Sequence, residues 1–137
     1  MNTLQNPLSL IGRLLLAYMF VPAGFSKIAG FAGAVGYANS VGMPMATAGV
    51  AAALVIELFG GLALLIGYRT RIAAVLLAIF TLVASFFFHN YWAMPAEAQM
   101  MQQLMFTKNL AIVGGLLAFA AFGAGGWSLD AKRGQAW

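Results

Sequence analysis

Five ionisable side chains, Arg13, Lys27, Glu57, His89 and Lys108, fall within or at the margins of long apolar runs. A charge inside hydrocarbon costs at least about 2.5 kcal/mol, so each needs a counter-charge or a task. Lys27, His89 and Lys108, with Asn109 beside Lys108, combine two cationic donors, an amide, and an imidazole that can give or take a proton. Tyr37, Tyr91 and Trp92 add flat aromatic faces. Donors around a flat apolar slot suit the head group of a quinone, ubiquinone or menaquinone, whose two carbonyl oxygens take hydrogen bonds and, on reduction, protons. Lys27, His89, Lys108 and Asn109 are the candidate cofactor-binding residues, and Glu57 and His89 the candidate catalytic residues that handle protons. A plainer account competes, in which Lys27 and Lys108 snorkel to lipid phosphates while Tyr91 and Trp92 join the interfacial aromatic belt. For Glu57 the plainer account is a buried structural pair with Arg13 that fixes helix register. The functional one is a proton relay or a hydrogen bond to substrate.

These side chains need a particular kind of scaffold. Of the 137 residues, 63% are hydrophobic and 7% charged, and the mean hydropathy is +0.90. So little charge cannot cover a soluble domain. In a bilayer only helices or a closed barrel pair every backbone group, and unbroken apolar runs without strand-length alternation select helices. Spanning about 30 Å at about 1.5 Å per residue takes about 20 residues. Four such segments are legible, at residues 8–28, 45–67, 72–89 and 104–123. The expected fold is an all-α integral membrane four-helix bundle, one domain over residues 1–137. Arg69, Arg71, Lys132 and Arg133, with Arg13 and the N-terminal amine, share one side, and Lys27 and Lys108 share the other. The positive-inside rule then predicts that both termini are cytoplasmic.

Depth decides which charges can meet. Arg13 lies about 7 Å and Glu57 about 12 Å from the cytoplasmic edge, close enough to touch. Lys27 is about 28 Å along the first span, His89 about 26 Å along the third, and Lys108 about 6 Å inside the outer start of the fourth. Those three converge on the outer leaflet.

Other features bound the chemistry. Without cysteine the chain has no disulfide, thiolate metal site or thiol nucleophile. One histidine and three acidic residues cannot build a multi-His or dinuclear carboxylate centre, so no metal or haem is expected from this chain alone. Its own side chains offer no electron carrier, and electron supply falls to a partner oxidoreductase. The scattered charge of +4 reports topology and no nucleic-acid role. Methionines such as Met94, Met100, Met101 and Met105 read as gap-fillers rather than copper ligands. Gly60-Gly61 and Gly114-Gly115 mark close helix approach, and Pro22 predicts a kink or an unwound end near Ala23-Gly24. Residues 29–44 read as a short interfacial or re-entrant helix. Pro95 opens a short helix through Gln103 ahead of the fourth span, and Trp127-Ser128-Leu129-Asp130 forms a capped turn that anchors the tail. The first span lacks the basic start of a secretory signal and is expected to be retained.

In order along the chain stand Arg13, Pro22-Ala23-Gly24-Phe25-Ser26-Lys27, Glu57-Leu58-Phe59-Gly60-Gly61 leading to Gly67, His89, Phe106-Thr107-Lys108-Asn109-Leu110 with Gly114-Gly115, and Gly125-Gly126-Trp127-Ser128-Leu129-Asp130. This ordered set resembles the DoxX family over nearly the whole chain. The resemblance implies a small four-helix, multi-pass protein of the bacterial inner membrane. Its family is named after a subunit associated with a terminal quinol oxidase, with relatives in thiosulfate:quinone oxidoreductases and in operons answering quinones and electrophiles. It also implies that Arg13, Lys27, Glu57, His89, Lys108, Asn109 and Asp130 are family-pattern positions. The resulting expectation is a lipid-embedded protein that binds quinone or quinol and supports its redox cycling with a soluble or membrane oxidoreductase partner. The alternatives are a non-catalytic membrane anchor or assembly subunit, and a small-molecule or ion transporter built as a homo-oligomer with Glu57 in the pathway.

Overall fold

The computed structural model describes residues 3–135, which form helices and turns with no strand among them. The helices are α1 (Gln5–Ala29), α2 (Phe31–Ser40), α3 (Ala46–Val55), α4 (Gly61–Ile66), α5 (Thr70–Phe88), α6 (Ala96–Phe122) and α7 (Leu129–Lys132). A π-helical turn, Ile56–Gly60, joins α3 to α4 without interrupting the rod. Four rods, namely α1, Ala46–Ile66, α5 and α6, are long and apolar enough to cross a membrane. The protein is an all-α, four-helix membrane bundle, whose backbone groups are paired within each rod, as lipid demands.

Span boundaries differ most at α6. Pro95 at its N-cap does open a helix, but the polar first turns, with Glu97, Gln99 and Gln102, run straight into the apolar part without a break. A separate short helix before the fourth span is therefore replaced by one 27-residue rod. Glutamine and glutamate are good helix formers, so polarity ends the hydrocarbon segment without ending the helix. The expected unwinding after Pro22 is also absent, because α1 continues to Ala29. Proline removes only the donor to the Tyr18 carbonyl. Between the first two spans α2 forms as expected and packs Ala38 against Ala46 and Val50, with Met43 and Phe88 at the margin.

Antiparallel α1 and α4 are set in register by close glycine contacts. A Cβ on Gly24 would lie 2.8 Å from the Leu58 backbone nitrogen, and one on Gly61 would lie 2.9 Å from Val21 Cγ2. The Gly114-Gly115 pair does not serve this way, since a Cβ on Gly114 would meet nothing and one on Gly115 only Leu16 at 3.9 Å. α5 instead packs along α6 through larger side chains. The main core joins Phe20, Leu64, Leu77, Ala78, Val113 and Leu116.

Both ends of the described chain lie at one end of the bundle. Asn6 Oδ1 accepts from Gly126 N at 2.8 Å, and Ser9 Oγ donates to the Ala124 carbonyl at 2.7 Å. The N-terminal amine, counted above with the basic side, lies outside the described residues.

Candidate functional site

At the end of the bundle remote from the termini, a cavity of about 680 Å³ opens between the rods. Lys27 from α1, Glu57 from the π turn, His89 at the C-cap of α5, and Lys108 and Asn109 from α6 all line it. Tyr37 and Phe88, stacked at 5.4 Å between ring centroids, form part of its aromatic wall. The four residues assigned to cofactor binding thus share one cavity. Tyr91 and Trp92 do not line it, and instead they form an edge-to-face cluster with Phe86 and Phe106.

Glu57 is the principal correction to the sequence reading. Lys27 Nζ lies 2.6 Å from its Oε2, so the ion pair is Lys27–Glu57 and not Arg13–Glu57. The depth count failed because it set the start of the first span level with the end of the second. Gly67 in fact sits against Arg13 rather than against Leu8. That offset carries Glu57 about 15 Å from Arg13, to the level of Gly24. Gly24 brings α1 against Leu58 backbone to backbone, and Lys27, one helical turn further on, then reaches the neighbouring Glu57. The π turn places an extra residue in the helix at Glu57, a distortion that recurs at functional sites.

The other polar groups are oriented by partners behind them. His89 Nδ1 donates to Gln102 Oε1 at 2.7 Å, which leaves Nε2 unspent. Asn109 Nδ2 donates to Ser85 Oγ at 2.9 Å, and Ser85 Oγ in turn donates to the Thr81 carbonyl at 2.6 Å. With its proton committed to Thr81, Ser85 can only accept, so the Asn109 amide is held with Oδ1 free. Gln102 and Ser85 were missed in the sequence. Single polar side chains at a helix end or on a buried stripe give no signal until the facing helix is known.

Arg13 belongs to the opposite end. Fully buried, it donates to the Leu64 and Leu65 carbonyls at 3.3 and 2.9 Å and to the Trp127 carbonyl. The Leu65 carbonyl is one that the end of α4 leaves without a helical partner, whereas the Leu64 carbonyl also takes the Gly67 N–H at 3.2 Å. Asp130, read in the sequence as part of a capped turn, is buried and also caps across the chain: its carboxylate accepts from Arg69 N at 2.7 Å and Thr70 N at 2.9 Å, closing the start of α5. Ser128 caps α7 locally, as the turn motif predicts, by accepting from Ala131 N at 3.1 Å.

The DoxX family model matches residues 8–90. The chain is also 39% identical to inner membrane protein YqjF of Escherichia coli over the full length of both. The chain belongs to the DoxX family. Inner membrane protein YphA of the same organism is 36% identical over 91% of this chain and 89% of its own length. The ER-derived vesicles protein ERV29 of Saccharomyces cerevisiae is 28% identical over 89% of this chain but 32% of its own. No solved structure matches. This DoxX protein is a multi-pass inner-membrane protein. Of its cavity residues, Lys27, Glu57 and His89 fall inside the family match, whereas Lys108 and Asn109 lie beyond it on α6.

Proposed function

We propose that the cavity binds the head group of a quinone or quinol and that this DoxX protein supports its redox cycling together with a partner oxidoreductase. The observation that carries the reading is the meeting of Lys27, Glu57, His89, Lys108 and Asn109 in one cavity of about 680 Å³, within the range of small-molecule sites. The wall fits such a group, with stacked aromatic faces for a flat ring and cationic, imidazole and amide groups for its oxygens. When bound, the quinone supplies a couple that takes up and gives back electrons and protons. The chain's part is to hold the ring and to manage the protons. Lys108 and, when protonated, His89 Nε2 donate to the quinone carbonyls, while neutral His89 Nε2 and Asn109 Oδ1 accept from the quinol hydroxyls, His89 being steadied by Gln102 and Asn109 by Ser85. Glu57 holds or passes a proton, with Lys27 as its counter-charge. In this reading the basic end, with Arg69, Arg71, Lys132 and Arg133, faces the cytoplasm and the cavity opens to the outer leaflet.

The test is saturable binding of short-chain ubiquinone and menaquinone analogues to the purified protein in detergent. His89→Ala and Lys108→Ala are each expected to weaken binding about tenfold, the loss of one hydrogen bond to a charged or strongly polar partner. Unchanged affinity in both variants removes the pocket. A stoichiometric oxidoreductase recovered after mild solubilisation tests the partner.

A further inference from the structure

The charges around the cavity do not balance. The chain has three acidic side chains, Glu57, Glu97 and Asp130. Glu57 is taken by Lys27. Asp130 is spent on backbone N–H groups at the opposite end of the bundle. Glu97 is exposed in the first turn of α6, about 16 Å of helix before Lys108. Lys108 lines the cavity and makes no ion pair or hydrogen bond among the described residues. Its backbone also lies below the end of α5. Gln102, which bonds His89, marks the level of the α5 end, and Lys108 is about 9 Å further along α6, beside the Asn109–Ser85 contact. Lys108 is exposed where it lines the cavity, a cation at that depth along a membrane-spanning rod is costly unless an anion joins it, and Glu57, the one carboxylate among the lining residues, is already paired with Lys27.

We infer that Lys108 is the counter-charge for an acidic ligand: the cavity takes amphiphiles whose head is a deprotonated oxygen acid, a carboxylate or an acidic ring hydroxyl, in preference to the neutral isostere. The inference rests on the cavity being a ligand site and narrows the class of head group it takes. The acid could be carried by a hydroxyquinone or by a fatty acid, and the test separates the two.

Full-length protein in detergent at neutral pH is titrated with an alkylated hydroxynaphthoquinone, ionised under these conditions, and with its neutral methyl ether. Dodecanoate and dodecanol form the second pair. The acid of the naphthoquinone pair is expected to bind about tenfold more tightly than the ether, as a charge-assisted hydrogen bond outweighs a neutral one. In Lys108→Gln the ratio should fall to about one, and in Lys108→Arg it should persist, with unchanged thermal unfolding showing that both variants fold. Equal affinities for acid and ether in the parent overturn the inference and leave the quinone site standing. A preference that survives in Lys108→Gln overturns it too, by placing the counter-charge elsewhere. If dodecanoate outcompetes dodecanol while neither naphthoquinone binds, the acidic-ligand inference holds and the quinone reading falls. No binding in either pair overturns both.

Discussion

The two ends of this bundle handle buried polarity in opposite ways. At the end that carries the termini, Arg13 gathers three carbonyls, Asp130 caps α5, and Asn6, Ser9 and Ser128 stitch the tail to α1 and to itself. Charge there is spent on the chain's own backbone. At the other end Lys27 and Glu57 neutralise each other, His89 and Asn109 are steadied from behind, and a cavity remains between them. The lesson is one of division: the tied end carries register and stability, and so frees the open end to keep unspent hydrogen-bonding groups in an apolar wall.

Substitutions should therefore change stability at the first end and binding at the second. The largest effect is expected from Arg13→Met, which leaves the Leu65 and Trp127 carbonyls without their donor and the Leu64 carbonyl with Gly67 N alone. A loss of about 4 kcal/mol in detergent unfolding is expected, since buried acceptors lose a charged partner. A loss below about 1 kcal/mol would break the contrast between the ends. Gly24→Ala comes next. Its Cβ would lie 2.8 Å from the Leu58 backbone, so α1 must move off the π turn, at about 2 kcal/mol of overpacking. Because Lys27 is one turn away, the same variant should also weaken quinone-analogue binding, whereas Arg13→Met, in the protein that still folds, should not. Asp130→Asn follows, with about 1 kcal/mol lost as the α5 cap gives up its charge. Unfolding midpoints of the two variants measured side by side check the order.

The architecture was legible because lipid imposes it: four apolar runs of sufficient length, the turn helix α2 and the capped tail follow from composition, proline and capping residues. Which residues would share the cavity was also partly legible, because Lys27, His89 and Lys108 lie at similar depth by residue count. What failed was relative depth between neighbouring rods. Helix length gives the position of a residue along its own axis and nothing about the offset of the next axis, and that offset is set by Gly24 against Leu58 and Gly67 against Arg13. An error of a few residues there paired Glu57 with the wrong cation. Asp130 was undervalued for a related reason. Its partners, Arg69 N and Thr70 N, are backbone groups sixty residues away, and backbone groups carry no sequence signal.

At the open end, Lys108→Gln should change unfolding stability by no more than about 0.5 kcal/mol, as it removes no ion pair or hydrogen bond among the described residues. Its effect should appear in ligand binding alone. A large destabilisation would mean that Lys108 is held by the bundle, and the division between the ends would then be less sharp than the hydrogen bonds indicate.

The smallest expected effect belongs to the tied end and is spectroscopic. Tyr68, in the turn between α4 and α5, has its phenol pulled below the ordinary tyrosine value, first by a hydrogen bond from Arg133 and then by Arg69. The Arg133 guanidinium also lies 5.2 Å from the ring centroid. A lowered value in the fold means that the phenolate is the form the fold favours. Its stabilising contribution is fully present above the unfolded-state value of about 10 and is lost as pH falls through the lower folded value. The parent-minus-Tyr68→Phe ultraviolet difference titration should show a phenol ionising below the ordinary range, and Arg133→Gln should move its midpoint back up by more than Arg69→Gln does. A midpoint at the ordinary value would detach Arg133, and with it the end of the tail, from the α4–α5 turn. The tied end would then close at Asp130 rather than extend to Arg133.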